Sequence, residues 1–190
     1  MVLLKEMWGQ DLIKQSMPLL LGCGMGEIIV GSFFGQLDLE MLPGLIVLVP
    51  AIIGLRGNIS VALGSRLGSG FHLGVIDFSH SWKEEVKENI IASLILSSVM
   101  SIIIGFFAYG TCQVLGFPCM GIHFFVGIAL IAGFVSGVTL ALLALLTVYI
   151  AFVRGYDPDN ITGPVLATIG DIITIICVSG VSFLLMKVMS

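Results

Sequence analysis

Residues 161–186 read ITGPVLATIGDIITIICVSGVSFLLM, a run that carries one charged side chain, Asp171. About 20 such residues cross the ~30 Å hydrocarbon layer of a bilayer as a helix, so this stretch predicts a membrane span with an acid inside it. The rest of the chain has the same character. Of 190 residues, 57% are hydrophobic and 11% charged, 24 are glycine, and the mean hydropathy is +1.13. A soluble domain carries about 25% charged residues, and a disordered chain is more polar still. The composition therefore predicts an all-α, polytopic membrane protein. At about 20 residues per span, the length holds five or six spans with short loops and no sizeable soluble domain. A net charge of −4 with eight Lys and Arg argues against nucleic-acid partners, which need a basic face.

Reading outward from the quoted run divides a single transmembrane domain, 1–190, into five spans. Residues 1–16 mix Lys5, Glu6, Asp11 and Lys14 with apolar residues three to five apart. That pattern suits a short helix along the membrane surface, and it is not a cleaved signal peptide. The first span is expected over 18–36, with Pro18 in its first turn. The second, over 42–68, is punctuated by Pro43, Gly44, Pro50, Gly54, Gly57, Gly64 and Gly68, which predicts a bent or broken helix shielded from lipid. A polar stretch with His72, Asp77 and His80 precedes the third span, 89–115; the fourth covers 120–153 and the fifth 161–188.

Charge placement orients these spans. With the N-terminus inside, Lys5, Lys14, Arg56, Arg66, Lys83, Lys87 and Arg154 fall on or toward the cytoplasmic side, and Lys187 alone falls outside. The positive-inside rule favours that arrangement, a multi-pass cell-membrane protein with its C-terminus outside. No internal repeat is evident, so any two-fold arrangement requires a second copy of the chain.

Asp171 is the chief anomaly. It stands ten residues into the fifth span, roughly 15 Å from its cytoplasmic end at 1.5 Å per residue. An ionised Asp at that depth costs about 2.5–3.5 kcal/mol or more unless it meets water, a cation or a partner. Steps of three and four along its helix reach Asn160, Gly163, Ala167 and Thr174, a small and polar face built for close approach or water. The competing reading is a protonated Asp hydrogen-bonded between helices.

The second span offers a matching surface, Pro50-Ala51-Ile52-Ile53-Gly54-Leu55-Arg56-Gly57-Asn58. Its glycines bare the backbone, and Asn58 supplies a carbonyl oxygen. Mg²⁺ takes oxygen ligands and keeps several waters, so one or two carboxylates plus carbonyls suffice. The bland alternative for the glycines is helix packing, as for the G-x-x-x-G pairs Gly22/Gly26, Gly31/Gly35 and Gly133/Gly137. Asp157 precedes the fifth helix, where it suits an N-cap and also an acidic, cation-collecting mouth. Glu27 is a second intramembrane acid, a polar site or a packing partner ranked below Asp171. The four cysteines form no CxxC pair. Cys112 and Cys119 flank the expected outer loop, where a disulfide is feasible and free thiols are the expectation. The three histidines lack ligand spacing, with no H-E-x-x-H.

These two stretches resemble the paired signatures of the MgtE family of magnesium channels and transporters. The run Pro50 to Asn58, continued by Leu63-Gly64-Ser65-Arg66-Leu67, is similar to the animal solute-carrier branch. Its repeats carry a proline, a Gly-x-x-Gly-Asn and a Ser-Arg-Leu in this order. Asp157-Pro158-Asp159-Asn160, Gly163-Pro164 and Ala167-Thr168-Ile169-Gly170-Asp171 resemble the start of the family's last helix. The resemblance implies a homodimer with the cation pathway on its two-fold axis, lined by the second and fifth helices. It makes Asp171 the central Mg²⁺-site residue, with the Ala167 carbonyl beside it; Asn58, Gly57 and Asp157 join the candidate metal site from the reading of the residues themselves. The chain departs from the family in three ways: it lacks the bacterial regulatory domains, holds one repeat where the animal proteins hold two, and has Arg56-Gly57-Asn58 for the bacterial Gly-Gly-Asn.

The expected function is divalent-cation transport, Mg²⁺ first, by a homodimer in contact with membrane lipids. A metal-dependent lipid head-group enzyme is the second reading; it would need several carboxylates clustered near one membrane face. A non-transporting assembly subunit is the third, with Asp171 as a helix contact.

Overall fold

A computed structural model describes residues 2–35, 43–74, 76, 82–156 and 158–189, with side chains for these except at 2–16, 82–83, 159–160, 186 and 188–189. Asp157, Asp77 and His80 lie outside the described residues. Every element is a helix: α1 (Val2–Phe34), α2 (Leu45–His72), α3 (Trp82–Leu115), α4 (Ile122–Val153) and α5 (Pro158–Met189). Each contains a segment long and apolar enough to cross a membrane.

Local chemistry sets the helix ends. α5 begins at Pro158, where a proline's missing N–H costs nothing. α3 and α4 close on Gly116 and Gly155, whose φ values of 67° and 71° suit glycine. In each, the N–H beyond the glycine reaches back into the last turn, Phe117 to the Cys112 carbonyl at 3.0 Å and Tyr156 to the Ala151 carbonyl at 2.9 Å. These are Schellman closures, which satisfy carbonyls that the helix leaves open.

Two elements differ from expectation. Residues 2–34 form one helix with Pro18 inside it, so the surface stretch and the first span are a single element, whose apolar window starts at Met17. α2 is unbroken despite its prolines and glycines. Pro50 falls in its second turn, where one backbone bond is forgone, and Gly64 packs closely: a Cβ there would lie 2.5 Å from Thr162 Cγ2 and 2.8 Å from Leu166 Cδ1.

α2 and α4 form the centre, touching each other and both α3 and α5, while among the described residues α1 packs on α5 alone. Two apolar cores occupy the two ends of this bundle. One gathers Leu48, Ile52, Phe125, Ile128 and Val178, and the other gathers Leu67, Phe71, Ala144, Val148 and Leu166. Between them runs a polar layer of buried groups: Arg56 and Ser60 from α2, Ser97 and Ser101 from α3, Ser136 from α4 and Thr174 from α5.

Arg56 is the centre of that layer and only 1% exposed. Its Nη1 donates to the Gly133 carbonyl at 2.7 Å, while Nε and Nη2 have no partner. Arg56 therefore lies inside the bundle, between its two apolar cores, rather than at either end. The reason lies on α4, where two missing side chains make room: a Cβ on Gly137 would stand 2.6 Å from Arg56 Nη1, and one on Gly133 would strike Ser101 Oγ. The Gly133/Gly137 pair therefore seats a guanidinium and a serine. Gly22 and Gly31 have nothing within 4 Å of a built Cβ, so those two spacings make no close helix contact at these positions.

Candidate functional site

Among the described residues, α1 and α2 both pack against α5 but not against each other. The gap between them is an open groove of about 380 Å³ with α5 as its floor. α1 is drawn close to α5 at Gly26, where a Cβ would lie 2.5 Å from Thr168 Cγ2, and at Cys23, whose thiol donates to the Pro164 carbonyl at 3.5 Å. The next turn of α1 then presents Glu27 and Gly31 to the groove. α2 contributes Pro50, Ile53 and Gly54, and α5 contributes Asp171.

Asp171 is half-buried on this floor. Its neighbours on α5 fix the backbone beneath it. Thr174 donates to the Gly170 carbonyl at 2.7 Å, so its hydroxyl is satisfied within the helix. Gly170 faces Leu140 of α4 and Ser60 of α2, at 3.4 Å and 3.9 Å from a built Cβ. Asp171 thus borders the polar layer and opens away from it. Glu27 is exposed and lines the same groove as Asp171. Two carboxyls on one groove are oxygen donors of the kind a hard divalent cation takes.

The expected site residues distribute unevenly. Asp171 is on the groove floor, and Ala167 is half-buried one turn earlier on the same helix. Gly57 and Asn58 sit one turn beyond Gly54 on α2, and Asn58 is exposed. The groove itself takes Pro50 and Gly54 rather than Asn58. Within one chain, then, Asp171 meets Glu27 and the proline-glycine part of the motif. Glu27 carried a sequence signal of its own, an acid in an apolar helix. Its pairing with Asp171 did not, because it depends on how α1 leans across α5.

Sequence comparison relates the chain to known proteins. The sequence profile of the MgtE family, described as divalent cation transporter, matches residues 49–181. Solute carrier family 41 member 2 of Gallus gallus is 32% identical over 145 residues, covering 72% of this chain and 24% of its own length. The Homo sapiens protein of the same name is 28% identical over 191 positions, 94% of this chain and 32% of its own length. Solute carrier family 41 member 3 of Rattus norvegicus is 28% identical over 170 residues, covering 84% of this chain and 36% of its own. The chain thus spans a quarter to about a third of the length of these curated relatives. No solved structure matches it.

Proposed function

The chain belongs to the MgtE family of divalent cation transporters, and from that premise we propose that it carries a divalent cation, Mg²⁺ first, across the membrane as a homodimer. The family is one of transporters, not enzymes. The observation that carries the reading is the placement of Asp171, a carboxylate at mid-span on the floor of a groove open between α1 and α2.

One chain supplies half of a pathway in this proposal. A second copy set against the α2 and α5 faces would bring two Asp171 side chains toward a shared axis. Facing carboxylates repel, and a divalent cation between them relieves both. The cation would keep most of its hydration water, so Asp171 and the carbonyls of Ala167 and Gly57, with the Asn58 side chain, would act on bound waters as much as on the metal. Asp157 at the start of α5 would gather cations at the mouth.

Orientation belongs to the same proposal. Arg66 near the end of α2, Lys87 near the start of α3 and Arg154 at the end of α4 are exposed at one end of the bundle. That end is cytoplasmic under the positive-inside rule even without Arg56 in the count, which puts the N-terminus inside and the C-terminus outside.

Flux into liposomes tests the reading. Purified protein is expected to admit Mg²⁺ to a vesicle-trapped indicator, and Asp171→Asn to reduce entry to that of empty vesicles while the cross-linked dimer persists. Undiminished flux in Asp171→Asn would overturn the site, and loss of the dimer with loss of flux would favour a purely structural Asp171.

A further inference from the structure

The loop between α3 and α4 brings two thiols together. At Gly116 the chain reverses through its left-handed φ, and Phe117 is tied back to the Cys112 carbonyl at 3.0 Å. That reversal returns Cys119 to the helix end, where Cys112 Sγ and Cys119 Cβ border the same point, the missing side chain of Gly44. Cys112 is fully buried and Cys119 half-buried. Gln113 Nε2 donates to Cys119 Sγ at 3.3 Å, which fixes the position of that sulfur against the end of α3.

The surroundings hold the pair in place. Gly44, at the entrance to α2, has no Cβ; one built there would lie 3.3 Å from both Cys112 Sγ and Cys119 Cβ. Next to it, Met120 N–H donates to the Pro43 carbonyl at 3.4 Å. The loop is therefore pressed between the end of α3 and the start of α2.

We propose that Cys112 and Cys119 form an intrachain disulfide that staples the end of α3 to this loop beneath the start of α2. The half-buried Cys119 thiolate attacks one sulfur of a small-molecule disulfide and expels the first thiol. Cys112 then attacks the Cys119 sulfur, closes the intrachain bond and expels the second thiol. The two hydrogens lost by the protein leave on those two thiols, and the small-molecule disulfide is the species reduced. The side on which this happens rests on the orientation proposed above. The loop lies at the end of the bundle opposite Arg66, Lys87 and Arg154, so it faces the outside, where disulfides persist.

The sequence provides a clean assay. Met100 and Met120 bracket both residues, so cyanogen bromide releases fragment 101–120 with Cys112 and Cys119 as its sole cysteines. Purified full-length chain in detergent is treated with oxidised glutathione, alkylated with iodoacetamide, cleaved and weighed. The expected fragment is two hydrogens lighter than the dithiol and unalkylated, and Cys119→Ser is expected to yield a fragment alkylated once. Alkylation of both cysteines, glutathione retained on Cys119, or linkage to Cys23 or Cys177 would overturn the pair. Cells alkylated before lysis test the orientation separately: a bond formed in detergent but two alkylated thiols in cells overturns the outward placement and leaves the pair standing.

Discussion

Arg56 of α2 donates through Nη1 to the Gly133 carbonyl of α4 at 2.7 Å, deep in the bundle. A guanidinium has five N–H donors in a rigid fork, and here both Nε and Nη2 are left without partners. A buried charge in that state is held by shape and by one strong bond, and several substitutions follow from it.

Gly137→Ala should destabilise the bundle by about 1–3 kcal/mol, the usual cost of forcing a methyl group into a packed interior. Its Cβ would stand 2.6 Å from Arg56 Nη1 and 3.1 Å from Ser97 Oγ, and Arg56 is too buried to swing aside. Gly127→Ala on the same helix meets nothing within 4 Å, and should leave stability unchanged or raise it by up to about 1 kcal/mol through helix propensity. Thermal melts of both variants in one detergent check the contrast; equal melting temperatures would contradict it.

Arg56→Ala and Arg56→Met separate volume from charge. The alanine leaves a large hole and should cost about 2–5 kcal/mol, as other large-to-small core changes do. Methionine fills most of that hole and removes an incompletely partnered buried charge, so it should cost far less and melt well above Arg56→Ala. If the two melt together, the charge rather than the packing holds α2 to α4.

Glu27→Gln should slow Mg²⁺ entry into liposomes without abolishing it. The substitution keeps the side chain's shape and removes one of two acids facing the groove, for which about a tenfold loss, equivalent to about 1.4 kcal/mol, is expected. Asp171→Asn should fall to background in the same vesicles. The reverse ranking would move the principal site from α5 to α1.

Gly44→Ala should be among the most damaging single changes. Gly44 has φ +90°, and its Cβ would meet the Phe125 ring as well as Cys112 and Cys119. The backbone alone accounts for about 1–2 kcal/mol, and the overpacking for about 1–3 kcal/mol more. Folded yield after detergent extraction measures the combined effect, and yield equal to the parent would show that α2 can enter the bundle another way.

The five helices were legible because hydropathy and length alone define membrane spans, and Asp171 was legible because a lone acid in such a run has no other explanation than a site or a partner. What could not be read were the contacts that join helices distant in sequence. In the sequence Arg56 counts only as one more basic residue on or toward the cytoplasmic side, since only the pairing of α2 with Gly133 and Gly137 reveals an interior seat. Likewise Glu27 and Asp171 belong to helices separated by three others, and no periodicity within either announces that they meet. A bent or broken α2 was expected, and the helix runs without a break; Gly64, which would weaken an isolated helix, is tolerated where Thr162 and Leu166 pack into the space it leaves.

The attachment of α1 to α5 alone bears on biogenesis. Within this chain α1, α2, α3 and α4 are all made before α5, the helix on which α1 rests. Of these, α2, α3 and α4 can already pack on one another through contacts described above, whereas α1 has no docking surface until translation reaches α5. Arrest or truncation before α5 should therefore leave a three-helix assembly with a loose leading helix, a form that quality-control proteases could distinguish from the finished protein.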